Sequence, residues 1–162
     1  MSEQSKVRHP VRRIEVRIQV GSSLLSASDD PLFLGLRGPA GREFRLALAH
    51  GHFLRRGHED HFRLGAADDR DTNVAHAELN DPTRPAIDAA AIDGVYLRKG
   101  LEPIPNVRAL GEMDDRLEIL EASVEVHAEG LPKPLRFERK GSLWLGLVCG
   151  LSCELSRSEA AS

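Results

Sequence analysis

The chain has 162 residues, enough for one domain that buries most of its apolar surface on folding. Its net charge of −3 supplies no general attraction to nucleic acid or anionic lipid. No apolar run approaches the roughly 18 residues of a spanning helix, and the opening Met-Ser-Glu-Gln-Ser-Lys lacks the apolar stretch of a secretory signal.

Residues 1–10 read as a disordered tail. Arg13 to Val20 then alternates strictly: Ile14, Val16, Ile18 and Val20 share one face, and four polar residues share the other. That is the pattern of a half-buried strand. Residues 21–30 form a Ser-, Ala- and Asp-rich loop. Leu32, Leu34 and Leu36 continue the alternation to Arg37, Gly38-Pro39-Ala40-Gly41 turns the chain, and Phe44, Leu46 and Leu48 return it. Next comes Phe53-Leu54-Arg55-Arg56-Gly57-His58-Glu59-Asp60-His61-Phe62, an apolar entry, a tight polar turn and a new strand. Gly57 permits positive φ at the turn, and Asp60 can accept backbone hydrogen bonds there.

Residues 66–72 are acidic and loop-like, and residues 73–79 are weakly strand-like. Residues 80–91 hold two prolines and an alanine run that suits one short helical turn. Ile92 to Lys99 reads as a strand, and residues 100–115 as a long loop. Arg116 to His127 is a long strand whose phase changes. Leu117 and Ile119 share one parity, while Leu120, Ala122, Val124 and Val126 share the other, so a β-bulge is expected near Leu120-Glu121. After Pro132 and Pro134, Leu143, Leu145, Leu147, Cys149, Leu151, Cys153 and Leu155 keep one parity, which predicts one or two closing strands. Residues 156–162 read as a second tail. Short strands, frequent turn signals and no long helical period give an all-β fold, an antiparallel β-sandwich of about eight strands over residues 11–155.

Two cysteines four residues apart on a strand lie about 13 Å apart at about 3.3 Å per residue. A disulfide spans at most about 7 Å. Cys149 and Cys153 are therefore expected as reduced, buried thiols, which suits a cytoplasmic protein.

Three clusters invite a chemical reading. His50, His52, His58 and His61, with Glu59 and Asp60, could hold a transition metal, and a small metal-dependent hydrolase is the enzymatic alternative they suggest. The plainer reading is that they are turn and edge residues. A triad of His58, Asp60 and Ser28 lacks the motif that would support it. Asp29-Asp30 and Asp68-Asp69-Arg70-Asp71 offer hard oxygen ligands of the kind calcium takes. Arg8, Arg12, Arg13, Arg17, Arg55 and Arg56 read as part of a charge-balanced exposed face, or as a docking surface for an acidic partner. A single Trp and a single Tyr argue against base-stacking platforms. Trp144 and Phe33 are the aromatics that could insert into lipid, although packing against the sheet is the expected role of Trp144.

The strand Asp-Asp-Pro-Leu-Phe-Leu-Gly-Leu over residues 29–36, followed by Phe53, Gly57, Asp60 and Phe62, resembles the PLAT (or LH2) domain. That is the β-sandwich module of lipoxygenases, pancreatic lipase and clostridial α-toxin. The resemblance runs from about Val11 to Leu155. It implies a non-catalytic binding module that ties an enzyme or assembly to a protein or a lipid surface. It also implies calcium at Asp29 and Asp30, but Gly51-His52 stands where calcium-binding members commonly carry Asn-Asp, so half of that ligand set is missing. Another protein chain is the expected partner, ahead of lipid, because the sequence shows no cationic amphipathic patch and no aromatic cluster. A structural subunit of a larger assembly is the remaining alternative.

Overall fold

The computed structural model describes residues 6–24, 26–101 and 116–159. Among the described residues eight antiparallel strands make up the fold: β1 (Val11–Val20), β2 (Leu32–Arg37), β3 (Glu43–Arg45), β4 (Glu59–Leu64), β5 (Gly94–Lys99), β6 (Leu117–Ala128), β7 (Leu135–Leu145) and β8 (Ser152–Ser158). They follow one continuous order, β3-β2-β5-β8-β7-β6-β1-β4, which curls into two packed layers. The first half of β8 pairs with β5, from Arg98 opposite Ser152 to Val95 opposite Leu155. Its second half pairs with β7, from Glu138 opposite Ser156 to Arg136 opposite Ser158. One strand thus joins the layers, and the expected boundary at Leu155 falls inside it.

The alternation in β1 does what its pattern requires. Ile14, Val16, Ile18 and Val20 are fully buried, and they meet Leu32, Leu34, Leu97, Val124, Val126, Phe62 and Phe137 in one core. The phase change in β6 is a bulge. Gln19 pairs with Glu121 but Val20 pairs with Ile119, leaving Leu120 as the extra residue. On the other side Glu121 faces Lys140 and Ile119 faces Leu143, so β7 also carries an extra residue there. Gly141, at φ +98°, takes up that irregularity.

Four expectations need correction. Residues 73–79 form only a single bridge, Val74 to Leu48, because the chain turns at His76, whose φ is +51° and whose carbonyl accepts from Leu79 N and Asn80 N. The continuous parity from Leu143 to Leu155 is interrupted by a tight turn at residues 146–150, closed by a bridge between Gly146 and Gly150, with Gly150 at φ +97°. Leu147, Val148 and Cys149 are consequently exposed, and only Cys153 is a buried thiol. Both cysteines are free, as expected, and burial pushes the Cys153 thiol up. Residues 8 and 9, placed in the tail, donate backbone hydrogen bonds to Asp88, the residue that caps the short helical turn Ala89–Ala91. The long loop expected at residues 100–115 lies, after Leu101, outside the described residues.

The open side of the sandwich, between β3 and β4, is covered by residues 65–93. Asn73 accepts from Arg63 N at 2.7 Å and donates to His61 O at 2.8 Å, satisfying the free edge of β4. Asn80 accepts from Arg45 N at 2.7 Å on the edge of β3. Unpaired sheet edges invite association with other chains, and these two side chains block both edges. Buried Asp81 anchors the segment. Its carboxylate accepts from Thr83 N, Thr83 Oγ1 and Ala67 N at 2.8, 2.6 and 3.1 Å. Burial alone would raise its pKa; the hydrogen bonds from Thr83 and Ala67 and the charge of Arg84 outweigh that and hold it below the usual carboxylate range.

Candidate functional site

Odd-numbered strands all run toward one end of the sandwich and even-numbered strands leave it. The described residues of the connections after β1, β3, β5 and β7, namely 21–24 and 26–31, 46–58, 100–101 with 116, and 146–151, therefore share that end, called here the loop end. It carries Asp29, Asp30, His50, His52, His58 and the Gly57 turn.

The Gly57 turn is hydrogen-bonded to the end of β1. Gly57 sits at φ +73° with only Ser22 Cβ near the position a side chain would take, at 3.9 Å. Its N–H donates to Gly21 O at 2.8 Å, and Val20 N donates to His58 O at 2.9 Å, which welds the turn to the end of β1. Asp60 is buried and accepts from Leu54 N at 2.6 Å; Leu54 itself holds φ +52°. Phe53 meets Phe62 edge to face, with ring centroids 6.3 Å apart. The four signature residues are one device: the glycine reverses the chain, the aspartate holds the strained backbone, and the aromatics seal it to the core.

The remaining site expectations divide. Asp30 is paired with Lys99, whose side chain is 1% exposed. A buried cation already compensates that carboxylate and opposes a second cation beside it. Asp29 is exposed. Asp60 Oδ2 serves Leu54 N, and Ser28 Oγ accepts from Asp30 N at 3.1 Å; both are turn bonds, not parts of a triad. His50, His52 and His58 are exposed, and His52 Nδ1 lies 3.3 Å from Arg55. His61 points to a different place, the outer face of the sheet, where its Nε2 lies 3.1 Å from Glu15 Oε2. Among the described residues the four histidines do not converge on a common point; the one converging set of three ligand-type side chains is Glu15, Glu125 and His127. The arginines of β1 are balanced by acids: Arg12 by Glu129, Arg13 by Glu15 at 3.0 Å and Arg17 by Glu59 at 3.6 Å.

Neither sequence candidate for aromatic insertion projects. Phe33 and Trp144 are half-buried beneath Arg98 and Arg116, whose guanidinium carbons lie 4.5 and 5.1 Å from the ring centroids. What projects instead is aliphatic. At the loop end Leu24 is 83% exposed, Leu101 47%, Leu147 64% and Val148 85%. Sequence reasoning missed these because Leu101, Leu147 and Val148 were read into long loops or an apolar strand. The signal was available in Gly146 and Gly150, which bracket a turn. No described helix is long and apolar enough to cross a membrane.

No family model matches the sequence, and no curated protein matches it in sequence. Solved structures do match it in shape. The alpha-toxin of an avian strain of Clostridium perfringens covers 96% of this chain at 12% identity and a TM-score of 0.57. The alpha toxin of Clostridium absonum covers 94% at 14% identity and a TM-score of 0.54. The coral 8R-lipoxygenase, described as calcium-activated through a C2-like domain, covers 91% at 10% identity and a TM-score of 0.56. This chain spans 34% of each toxin and 17% of the lipoxygenase. At such identities the likeness concerns the fold, and the fold is a PLAT-like or C2-like β-sandwich.

Proposed function

We propose that this chain is a non-catalytic binding module that docks onto a lipid surface through its loop end. The observation that carries the reading is the exposure of Leu24, Leu101, Leu147 and Val148 on three separate connections at that one end. Clustered exposed apolar side chains mark interaction sites. Side chains that project singly from separate loops suit a soft interface better than a flat protein epitope. Burying three of them contributes roughly 5–9 kcal/mol before the costs of association. Arg55 and Arg56, exposed at the same end, suit phosphate headgroups.

Asp29 serves as a weak ligand for calcium, since Asp30 is already paired with Lys99. The likeness to domains that form a minor part of larger enzymes supports a targeting role over a catalytic one.

Flotation with vesicles of zwitterionic and anionic phospholipid tests the reading. The chain is expected to float with the vesicles, and the double variant Leu147→Ser/Val148→Ser is expected to stay in the soluble fraction while melting normally. Flotation unchanged by that variant, or no flotation at all, overturns it. A loss of co-purifying protein on the same substitutions would instead assign the loop end to a protein partner, the occupant the sequence favours.

A further inference from the structure

We propose that Glu15, Glu125 and His127 form a binding site for a divalent transition metal, zinc above all, on the outer face of the β4-β1-β6-β7 layer. The site is independent of the loop end.

The β1–β6 register creates it. Glu15 pairs directly with Glu125, and Arg13 pairs with His127. All four side chains share the face opposite the buried Ile14, Val16, Val124 and Val126. Two carboxylates directly opposite on adjacent strands repel one another. A cation between them removes the repulsion, and the imidazole is poised to share it. His127 Nε2 lies 3.7 Å from Glu15 Oε1 and 3.7 Å from Glu125 Oε2. That nitrogen is shielded from solvent and makes no hydrogen bond. The separations are too long for hydrogen bonds. They are close to the ligand-to-ligand spacing of a tetrahedral zinc site, about 3.3 Å for bonds of about 2.0–2.1 Å. A small inward movement of each side chain closes the difference.

The surroundings fit the same purpose. His61 Nε2, 3.1 Å from the other oxygen of Glu15, fixes the orientation of that carboxylate from outside, as second-layer partners of metal ligands do. Three protein ligands leave a fourth position for water. One imidazole with two carboxylates favours zinc or a neighbouring transition ion over calcium, which prefers oxygen throughout. Two arginines compete. Arg13 Nη2 lies 3.0 Å from Glu15 Oε1, the oxygen that faces His127, whereas Arg136 Nη1 lies 3.4 Å from Glu125 Oε1, the oxygen that faces away. Arg13 is therefore the residue an arriving ion displaces.

Zinc titrated into the whole chain against a chromogenic chelator tests the proposal. One zinc ion per chain is expected. His127→Gln and Glu125→Gln should each weaken binding roughly tenfold or more. Arg13→Ala should tighten it, an effect that a purely structural role for this cluster would not produce. His52→Ala and His58→Ala should leave it unchanged. Should His127→Gln fail to fold, Glu125→Gln carries the same test. Absence of saturable binding overturns the site, and so does binding that survives both His127→Gln and Glu125→Gln or is lost in the loop-end variants.

Discussion

Two connections of this sandwich are built on opposite principles. Residues 65–93, between β4 and β5, have almost no regular structure, yet Asn73 and Asn80 bind them to the edges of β4 and β3, and Asp81 ties the segment to itself through Ala67 and Thr83. Residues 146–151, between β7 and β8, form a short glycine-bracketed turn whose apolar side chains Leu147 and Val148 are exposed. A long loop can be a structural wall if its polar groups are satisfied internally. A short one can be surplus to stability if its side chains face outward. Length therefore says little about which segment the fold depends on.

That contrast can be broken in graded steps. Phe62→Ala, in the core behind the Gly57 turn, should cost most, about 3–5 kcal/mol by chemical denaturation. Asp81→Ala follows. It leaves Ala67 N and the Thr83 donors without their acceptor, and a loss of about 2–3 kcal/mol is expected from the wall. Gly57→Val, which has space for its side chain but not the right backbone, should cost at least about 1–2 kcal/mol.

Acid probes the wall differently. Asp81 and Asp88 have folded pKa values below their unfolded ones, Asp88 chiefly through the Arg8 backbone hydrogen bond. The unfolded chain then binds these protons more readily. Their contribution is fully present above the unfolded carboxylate value of about 3.9 and is lost as pH falls through the lower folded values. Melting temperatures measured from neutral pH down to about pH 3 should fall less steeply in Asp81→Asn than in the parent chain. The smallest effect belongs to the tip: Leu147→Ser and Val148→Ser should change stability by less than about 0.5 kcal/mol. A larger loss from the tip than from Asp81→Ala would reverse the comparison.

Much of this was legible in the sequence, for identifiable reasons. Period-2 burial in β1 and the phase slip at Leu120 follow from strand geometry alone, and both are found. Phe53, Gly57, Asp60 and Phe62 lie in one local stretch, so a turn with Gly57 at positive φ could be expected from spacing alone. The β7–β8 turn was hidden because apolar residues occupy a turn that is normally polar, and parity ran unbroken through it. The end of β8 was hidden because Ser156, Arg157 and Ser158 pair with β7 through backbone bonds that do not depend on side-chain polarity. The Glu15, Glu125 and His127 cluster could not be read at all. It depends on a β1–β6 register joining residues more than a hundred positions apart, and that register includes the bulge.

The strand shared between the layers has a consequence for how the molecule breathes. β8 completes the ladder of β5 with one half and that of β7 with the other. Neither layer can peel away at this corner without exposing amides of the other. Opening motions that would be separate in two independently edged sheets are thereby fused into one cooperative unit, so amides of β5 and of β7 exchange with solvent through a common event.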